Sequence, residues 1–228
     1  MSQQTVWIAR HGNRIDFVNP EWFNTAERPY DPHLSDDGIL QAQKLANHLI
    51  GKNITQIFAS PFLRTVQTAN EVAKVLDLDI KLDWGLCEWL NHEWMPAMPE
   101  TLSLEELVQS YSRIDLSYHE GTPQYPETWK ACMKRTGEVS RRLAQEFRAE
   151  NMLLVGHGAS VVGAAAGLVG EIAETKVKAS LCCLVKIVLQ EEQWVMELSG
   201  DTSHLDNRET TVRSVSYTHL RAHETFAN

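Results

Sequence analysis

Residues Thr5 to Asp16 read TVWIARHGNRID. Val6-Trp7-Ile8-Ala9 is an apolar run of the length and kind that forms a buried strand. It breaks at once into Arg10-His11-Gly12, with a second arginine at Arg14. Like charge on both sides opposes protonation of the imidazole between them. Taken alone, the stretch predicts a strand that ends in an anion site built around a neutral histidine.

Working outward, Arg10 to His33 carries Pro20, Pro29 and Pro32 among scattered aromatics and reads as a long ordered loop. A segment of that length without regular structure is usually functional. Ser35-Asp36-Asp37 opens a helix with a hydroxyl cap and acids in its first turn, and Gly51 closes it. Ile54 to Ala59 reads as the second strand. Ser60-Pro61 after it has the form of a helix start, serine as the cap and proline in the first turn, with the helix running to about Leu76. Asp79 to Leu82 is a third short strand, followed by a loop rich in Trp, Pro and Met from Asp83 to Glu100. Leu102 to Tyr111 and Pro126 to Arg148 have helical character. Met152 to Val155 is a fourth strand, entering Gly156-His157-Gly158 and an alanine-rich helix that closes near Gly170. Leu181 to Leu189 and Gln193 to Leu198 predict a closing hairpin. Strands alternating with helices give an α/β chain, three layers αβα with a mostly parallel central sheet.

Composition limits the partners. The chain has 228 residues, 43% of them hydrophobic, and a formal net charge of -9, with a pI near 5.5. That balance argues against a general binder of nucleic acid or anionic membrane. Any anion site must be a local cluster of cations. The four cysteines, Cys87, Cys132, Cys182 and Cys183, form no C-x-x-C pair and suit a reduced, cytoplasmic setting. The N-terminus has no signal-peptide pattern, and no stretch approaches the roughly 20 apolar residues that cross a bilayer. Near the C-terminus, Val215 to Thr225 reads VSYTHLRAHET, which resembles the translation of a transposase-type library adapter. Residues 215–228 are therefore expected to be a non-native, adapter-derived tail, leaving 1–214 as one domain.

In parallel α/β sheets ligands bind beyond the carboxyl ends of the strands. Arg10-His11-Gly12, Arg64 in SPFLRTVQTA, Glu88 in GLCEWLNHEW and Gly156-His157-Gly158 each follow a predicted strand. One such tripeptide is weak evidence. The four together form a specific set, and they resemble the histidine phosphatase superfamily, the phosphoglycerate-mutase-like family, over Thr5 to about Leu198. RHGNRID, the aromatic loop before LSDDG, SPFLRTVQTA, LCEW and SLEEL most resemble the phosphatase domain of the ubiquitin-associated and SH3-domain-containing family.

The resemblance implies a metal-independent phosphomonoester hydrolase that needs no cofactor and works through a phosphohistidine on His11. It implies Glu88 as general acid and base, His157 as a donor to the transferring group, and Arg10, Arg14 and Arg64 as forks for phosphate oxygens. Gly12 and Gly158 would clear the approach of backbone to phosphate. The expected substrate is a phosphorylated small molecule or phosphopeptide, and the likeness to signalling phosphatases implies a homodimer. A phosphoglycerate mutase and a catalytically silent phospho-binding module are the alternatives. NRIDFVN replaces the Glu-Ser and Trp-Asn signatures of mutases, which favours hydrolysis. Asn13 departs from the acidic residue that many relatives carry after the glycine. Trp22, Phe23, Trp89, Trp94 and Met95 are expected to rim the site or to pack its loops.

Overall fold

The structure is a computed structural model and describes residues 3–206. The expected tail at 215–228 lies outside the described residues. Along the chain run β1 (Thr5–Arg10), α1 (Ile15–Val18), α2 (Trp22–Thr25), α3 (Asp36–His48), β2 (Gln56–Ala59), α4 (Leu63–Leu76) and β3 (Ile80–Asp83). A 3-10 turn (Trp84–Leu86) precedes α5 (Leu104–Ser110), β4 (Ile114–Glu120), α6 (Trp129–Glu146) and β5 (Met152–Gly156). Then come α7 (Gly158–Val169), α8 (Ile172–Lys176), β6 (Leu184–Gln190) and β7 (Gln193–Asp201).

Seven strands form one sheet in the order β4-β3-β2-β5-β1-β6-β7. The five from β4 to β1 are parallel, and β6 and β7 close one edge as an antiparallel hairpin. β1 reads as an unbroken apolar run because both its faces are covered. Trp7 and Ala9 pack towards Leu45 of α3, Leu49 just after it, and Val66 and Val72 of α4. Val6 and Ile8 pack on the other face with Leu143 of α6 and Val161 and Ala165 of α7. Two apolar layers flank the sheet, so the three-layer expectation holds. On the second face Phe58 meets Tyr118 and Phe147 edge to face, with centroids 5.5 and 5.1 Å apart. Each such pair contributes roughly 0.5–1.5 kcal/mol beyond its buried area.

Several expectations shift. The long loop before α3 contains the two one-turn helices α1 and α2. Ser60 is not the cap of α4, whose first helical residue is Leu63. The Leu63 amide is instead capped across the chain by Asp31 Oδ1 at 2.8 Å. The helix expected from Pro126 begins at Trp129, where the Thr128 hydroxyl accepts from the Ala131 amide. β4 was not legible as a strand, since Ile114 is buried but Leu116 is 65% exposed and the rest is polar. Such a pattern fits an edge strand that covers little core. β5, the strand entering Gly156-His157-Gly158, is consequently the fifth and not the fourth.

Register places the functional loops side by side. Ala9 pairs with Val155 and Arg10 with Gly156, while Ala59 also pairs with Val155. The His11 amide donates to the Gly156 carbonyl and the Ser60 amide to the Val155 carbonyl, both at 3.0 Å. Adjacent strands β2, β5 and β1 therefore release Ser60, His157 and His11 at one level of the sheet.

Candidate active site

His11 and His157 face each other at that level, with ring centroids 5.4 Å apart and both side chains fully buried. His11 Nδ1 lies 2.7 Å from the Gly12 carbonyl oxygen. A carbonyl only accepts, so Nδ1 carries the proton, and in the neutral ring Nε2 holds the lone pair. Nε2 is buried and makes no hydrogen bond to the protein. Burial is the largest influence holding the His11 imidazole well below its ordinary pKa, followed by the charges of Arg64, Arg10 and Arg14. The flanking arginines thus act in the expected direction, but desolvation and Arg64 outrank them.

His157 Nε2 is 2.9 Å from Ser60 Oγ, and its Nδ1 is 3.5 Å from Glu88 Oε2. Burial, then Arg64, His11 and the remaining arginines hold this imidazole well below the ordinary value too. Arg64 is almost fully buried, with Nη2 3.5 Å from Glu88 Oε2 and Nη1 3.6 Å from Asp31 Oδ1. Neither approach is a close, paired fork, and burial pushes the Arg64 pKa down to about 10. Arg10 donates to the Ala179 carbonyl at 2.6 Å. Arg10 Nε, Arg64 Nε, Arg64 Nη1 and His157 Nδ1 are buried without hydrogen bonds, together with His11 Nε2. Buried polar groups are normally satisfied. An anion with several oxygens answers this many convergent N–H groups at once.

Arg10, His11, Arg64, Glu88 and His157 therefore meet, as the sequence predicts. Arg14 differs, because its guanidinium is directed onto the Asp16 carboxylate, with Nε to Oδ1 at 2.9 Å. Gly12 has a packing reason of its own. A Cβ there would lie 2.5 Å from the Gly38 carbonyl oxygen, and one on Gly38 would lie 2.1 Å from that of Asn13. The departure at Asn13 has a local cause. Its Nδ2 donates to Asp37 Oδ2 at 2.7 Å and its Oδ1 accepts from the Arg14 amide at 3.0 Å. An aspartate here would set two carboxylates against each other. Met95 is buried with Phe62, Cys87 and Leu90, whereas Phe23 is exposed and meets Tyr30 edge to face. Trp89 packs between Trp94 and Trp129, and Trp22 meets His33 edge to face. These aromatics mostly hold the loops together.

The sequence reading missed Ser60 and Asp31 as site residues. Position directly after a strand end was the signal for Ser60. Asp31, lying in a loop between Pro29 and Pro32, carries none. Its carboxyl is raised to about 6, by burial against the lowering effect of Arg64. His11, Glu88 and His157 offer ligand atoms all within 4.8 Å of one another, a donor set of the kind zinc takes. The Arg10 and Arg64 guanidiniums make the same space electropositive, which suits an anion better than a cation.

A fold of this topology, with paired neutral histidines among buried arginines at its carboxyl edge, defines a class of α/β histidine sites for anionic groups. Residues 6–202 match the family model of the histidine phosphatase superfamily (branch 1), and the chain belongs to that family. It is 28% identical over 211 residues to ubiquitin-associated and SH3 domain-containing protein A of Mus musculus, covering 75% of this chain and 34% of that protein. The chain thus spans about a third of that relative's length. It is 29% identical over 225 residues to a probable phosphoglycerate mutase GpmB of Photorhabdus laumondii, covering 88% and 94%. Among solved structures, the ecdysone phosphate phosphatase from Bombix mori in complex with tungstate shares the fold, with a TM-score of 0.72 and 20% identity. That match covers 90% of this chain and 98% of the other. Among the described residues no helix is long and apolar enough to cross a membrane.

The buried histidines give the site a pH signature in stability. Each has an ordinary pKa of 6.5 when unfolded and one well below that when folded. Below about pH 6 the unfolded chain therefore binds protons that the native state does not, and stability falls as pH falls. The stability of the wild type relative to His157→Gln is expected to drop by about 1.4 kcal/mol for each pH unit in that window. Urea unfolding of both proteins at pH 7, 6 and 5, in phosphate-free buffer, measures it. A difference that stays flat or grows at low pH contradicts the assignment.

Proposed function

We propose that the chain is a metal-independent phosphomonoester hydrolase. One observation carries this: His11, Glu88 and His157 offer atoms within 4.8 Å of one another, Arg64 Nη2 lies 3.5 Å from the same Glu88 carboxylate, and buried N–H groups of Arg10, Arg64 and His157 have no partner in the protein. Arg10 and Arg64 hold the phosphoryl oxygens, and Arg14, braced by Asp16, adds positive potential. Ser60 donates its hydroxyl proton to His157 Nε2, so that Nδ1 presents its N–H to the phosphoryl group. His11 Nε2 attacks phosphorus while the bond to the leaving oxygen breaks. Protonated Glu88 gives its proton to that oxygen. The Glu88 carboxylate then takes a proton from water, whose oxygen attacks phosphorus and breaks the P–N bond. Inorganic phosphate leaves and His11 returns to the neutral imidazole. The carbonyl of Gly12 holds Nδ1–H throughout, which keeps Nε2 as the reacting nitrogen.

Family membership supports this reading, as does the tungstate, a tetrahedral oxyanion, held by the Bombix mori structure. The substrate is a phosphorylated small molecule or phosphopeptide. The test is to mix the protein with a radiolabelled aryl phosphate and quench in alkali, where phosphohistidine survives. Label bound in proportion to protein, absent from His11→Ala, is the expected result. Phosphate binding with no trapped label and no turnover would replace the enzyme by a silent phospho-binding module. Exchange between phosphoglycerates with little phosphate released would make it a mutase.

A further inference from the structure

Glu88 sits on a segment with little regular structure, the 3-10 turn and the residues up to Leu90, yet its carboxylate must meet a leaving oxygen within a few tenths of an ångström. General acids act only within hydrogen-bond reach. What fixes this segment lies outside the pocket, on α6. Arg135 Nη1 donates to the carbonyls of Gly85 at 2.9 Å and Cys87 at 3.2 Å, and Nη2 donates to the carbonyl of Glu88 itself at 3.1 Å. Glu127, just before α6, holds the other side. Its carboxylate takes Arg135 Nε at 3.1 Å and the Leu90 amide at 3.2 Å, and also receives Arg135 Nη2. Its own backbone donates to the Leu90 carbonyl at 3.1 Å and accepts Trp89 Nε1 at 3.0 Å.

Residues 87 to 90 are thus gripped from both directions, and the Glu88 carboxylate is itself oriented by the Trp89 amide, which donates to its Oε1 at 3.0 Å. Two turns further along α6, Arg142 pairs with Asp83 at the end of β3, with Tyr118 bonded to both. Between the two arginines Val139 presses on Gly85, where an added Cβ would lie 2.8 Å from the valine side chain. A largely buried ion pair is weak evidence for stability, since an apolar pair of equal volume often does as well. This one carries directional information that an apolar pair lacks: a planar fork with donors fixed on successive carbonyls.

We propose that Arg135, braced by Glu127, is the positioning residue of Glu88, and that α6 sets the reach of the general acid towards the leaving group. The proposal rests on the phosphomonoesterase reading. Its signature follows from the chemistry. A poor leaving group needs the proton, and a good one much less. Arg135→Met is expected to lower kcat about 30-fold on phenyl phosphate and about threefold or less on 4-nitrophenyl phosphate, a part of the roughly 100-fold to 10,000-fold that a general acid contributes in full. KM should stay within about twofold. Arg135→Lys is expected not to restore the lost rate, because one ammonium cannot span three carbonyls. In a Glu88→Gln background the Arg135→Met change should cost little, since residues that act as one unit are not additive.

Arg135→Met leaves Glu127 as an unpaired buried charge, so Arg135→Met/Glu127→Gln is made beside it as the variant with that charge removed. Equal loss on both substrates, or full additivity with Glu88→Gln, overturns the proposal. Vanadate affinity, read by tryptophan fluorescence, separates the two levels of inference. A wild type without turnover, whose vanadate binding still weakens about tenfold in the double variant, sinks the phosphatase reading and keeps the positioning role. An active wild type whose variants match it on phenyl phosphate sinks the positioning role alone. An inert wild type with unchanged vanadate binding sinks both.

Discussion

His11→Asn is expected to slow the turnover of an aryl phosphate by at least about 1000-fold while leaving phosphate bound, because in the proposed mechanism it removes the nucleophile and not the cradle. The two halves of that expectation come from different atoms. Attack needs the lone pair on Nε2, which is oriented by the proton that Nδ1 gives to the Gly12 carbonyl. Holding the anion needs Arg10 and Arg64, whose buried N–H groups are unaffected by the substitution. Initial rates with 4-nitrophenyl phosphate, and competition by inorganic phosphate for vanadate in the variant, measure both. Activity within tenfold of the wild type would assign His11 a supporting role. Loss of anion binding together with activity would mean that the imidazole, and not the arginines, carries the affinity.

Arg64→Met is the second change expected to be severe, lowering kcat/KM by about 100-fold to 1000-fold, as loss of one preorganised donor to a transferring group does. A distinct effect on pH accompanies it. Arg64 is the largest charge influence lowering the pKa of both His11 and His157. Without it both imidazoles protonate more readily, so the acid limb of the kcat/KM profile is expected to move to higher pH. Arg64→Lys keeps the charge and loses the fork. It should share much of the rate loss and show less of the limb shift. If the two variants shift the limb equally, charge is not what Arg64 contributes to the histidines. Asp31 makes the methionine variant informative in another way, since Arg64 also lowers that carboxyl, and its removal lets Asp31 take a proton more easily.

Legibility in the sequence followed how much core each segment buries. β1 and β5 are covered on both faces and show it as apolar runs, and the chemistry-bearing residues stand directly after them. The edge strand β4 covers little and left no pattern to read. Ser60 looked like a helix cap because serine before proline is the usual cap signature. Three-dimensional proximity gives its hydroxyl to His157 and the capping task to Asp31, a residue from the preceding loop. Arg14 was legible as a cation near the site, but Asp16, two residues on, engages its guanidinium. The charged neighbours of His11 predict its neutral state, whereas the stronger cause, complete burial, depends on the packing of every element around it. Asn13 became intelligible only once α3 brought Asp37 against it.

The position of β5 has a consequence for the order in which the protein can come into being on the ribosome. β1 and β2 are not neighbours; β5, beginning at Met152, is inserted between them, and the other neighbour of β1 is β6. A nascent chain that ends before Met152 therefore offers β1 no strand on either side, and its apolar faces and open hydrogen-bonding groups stay unpaired until β5 has been made. Such a strand is a natural client for chaperones during that interval. His157 follows directly on the strand that joins β1 to β2, so the two histidines cannot face each other before that join is made.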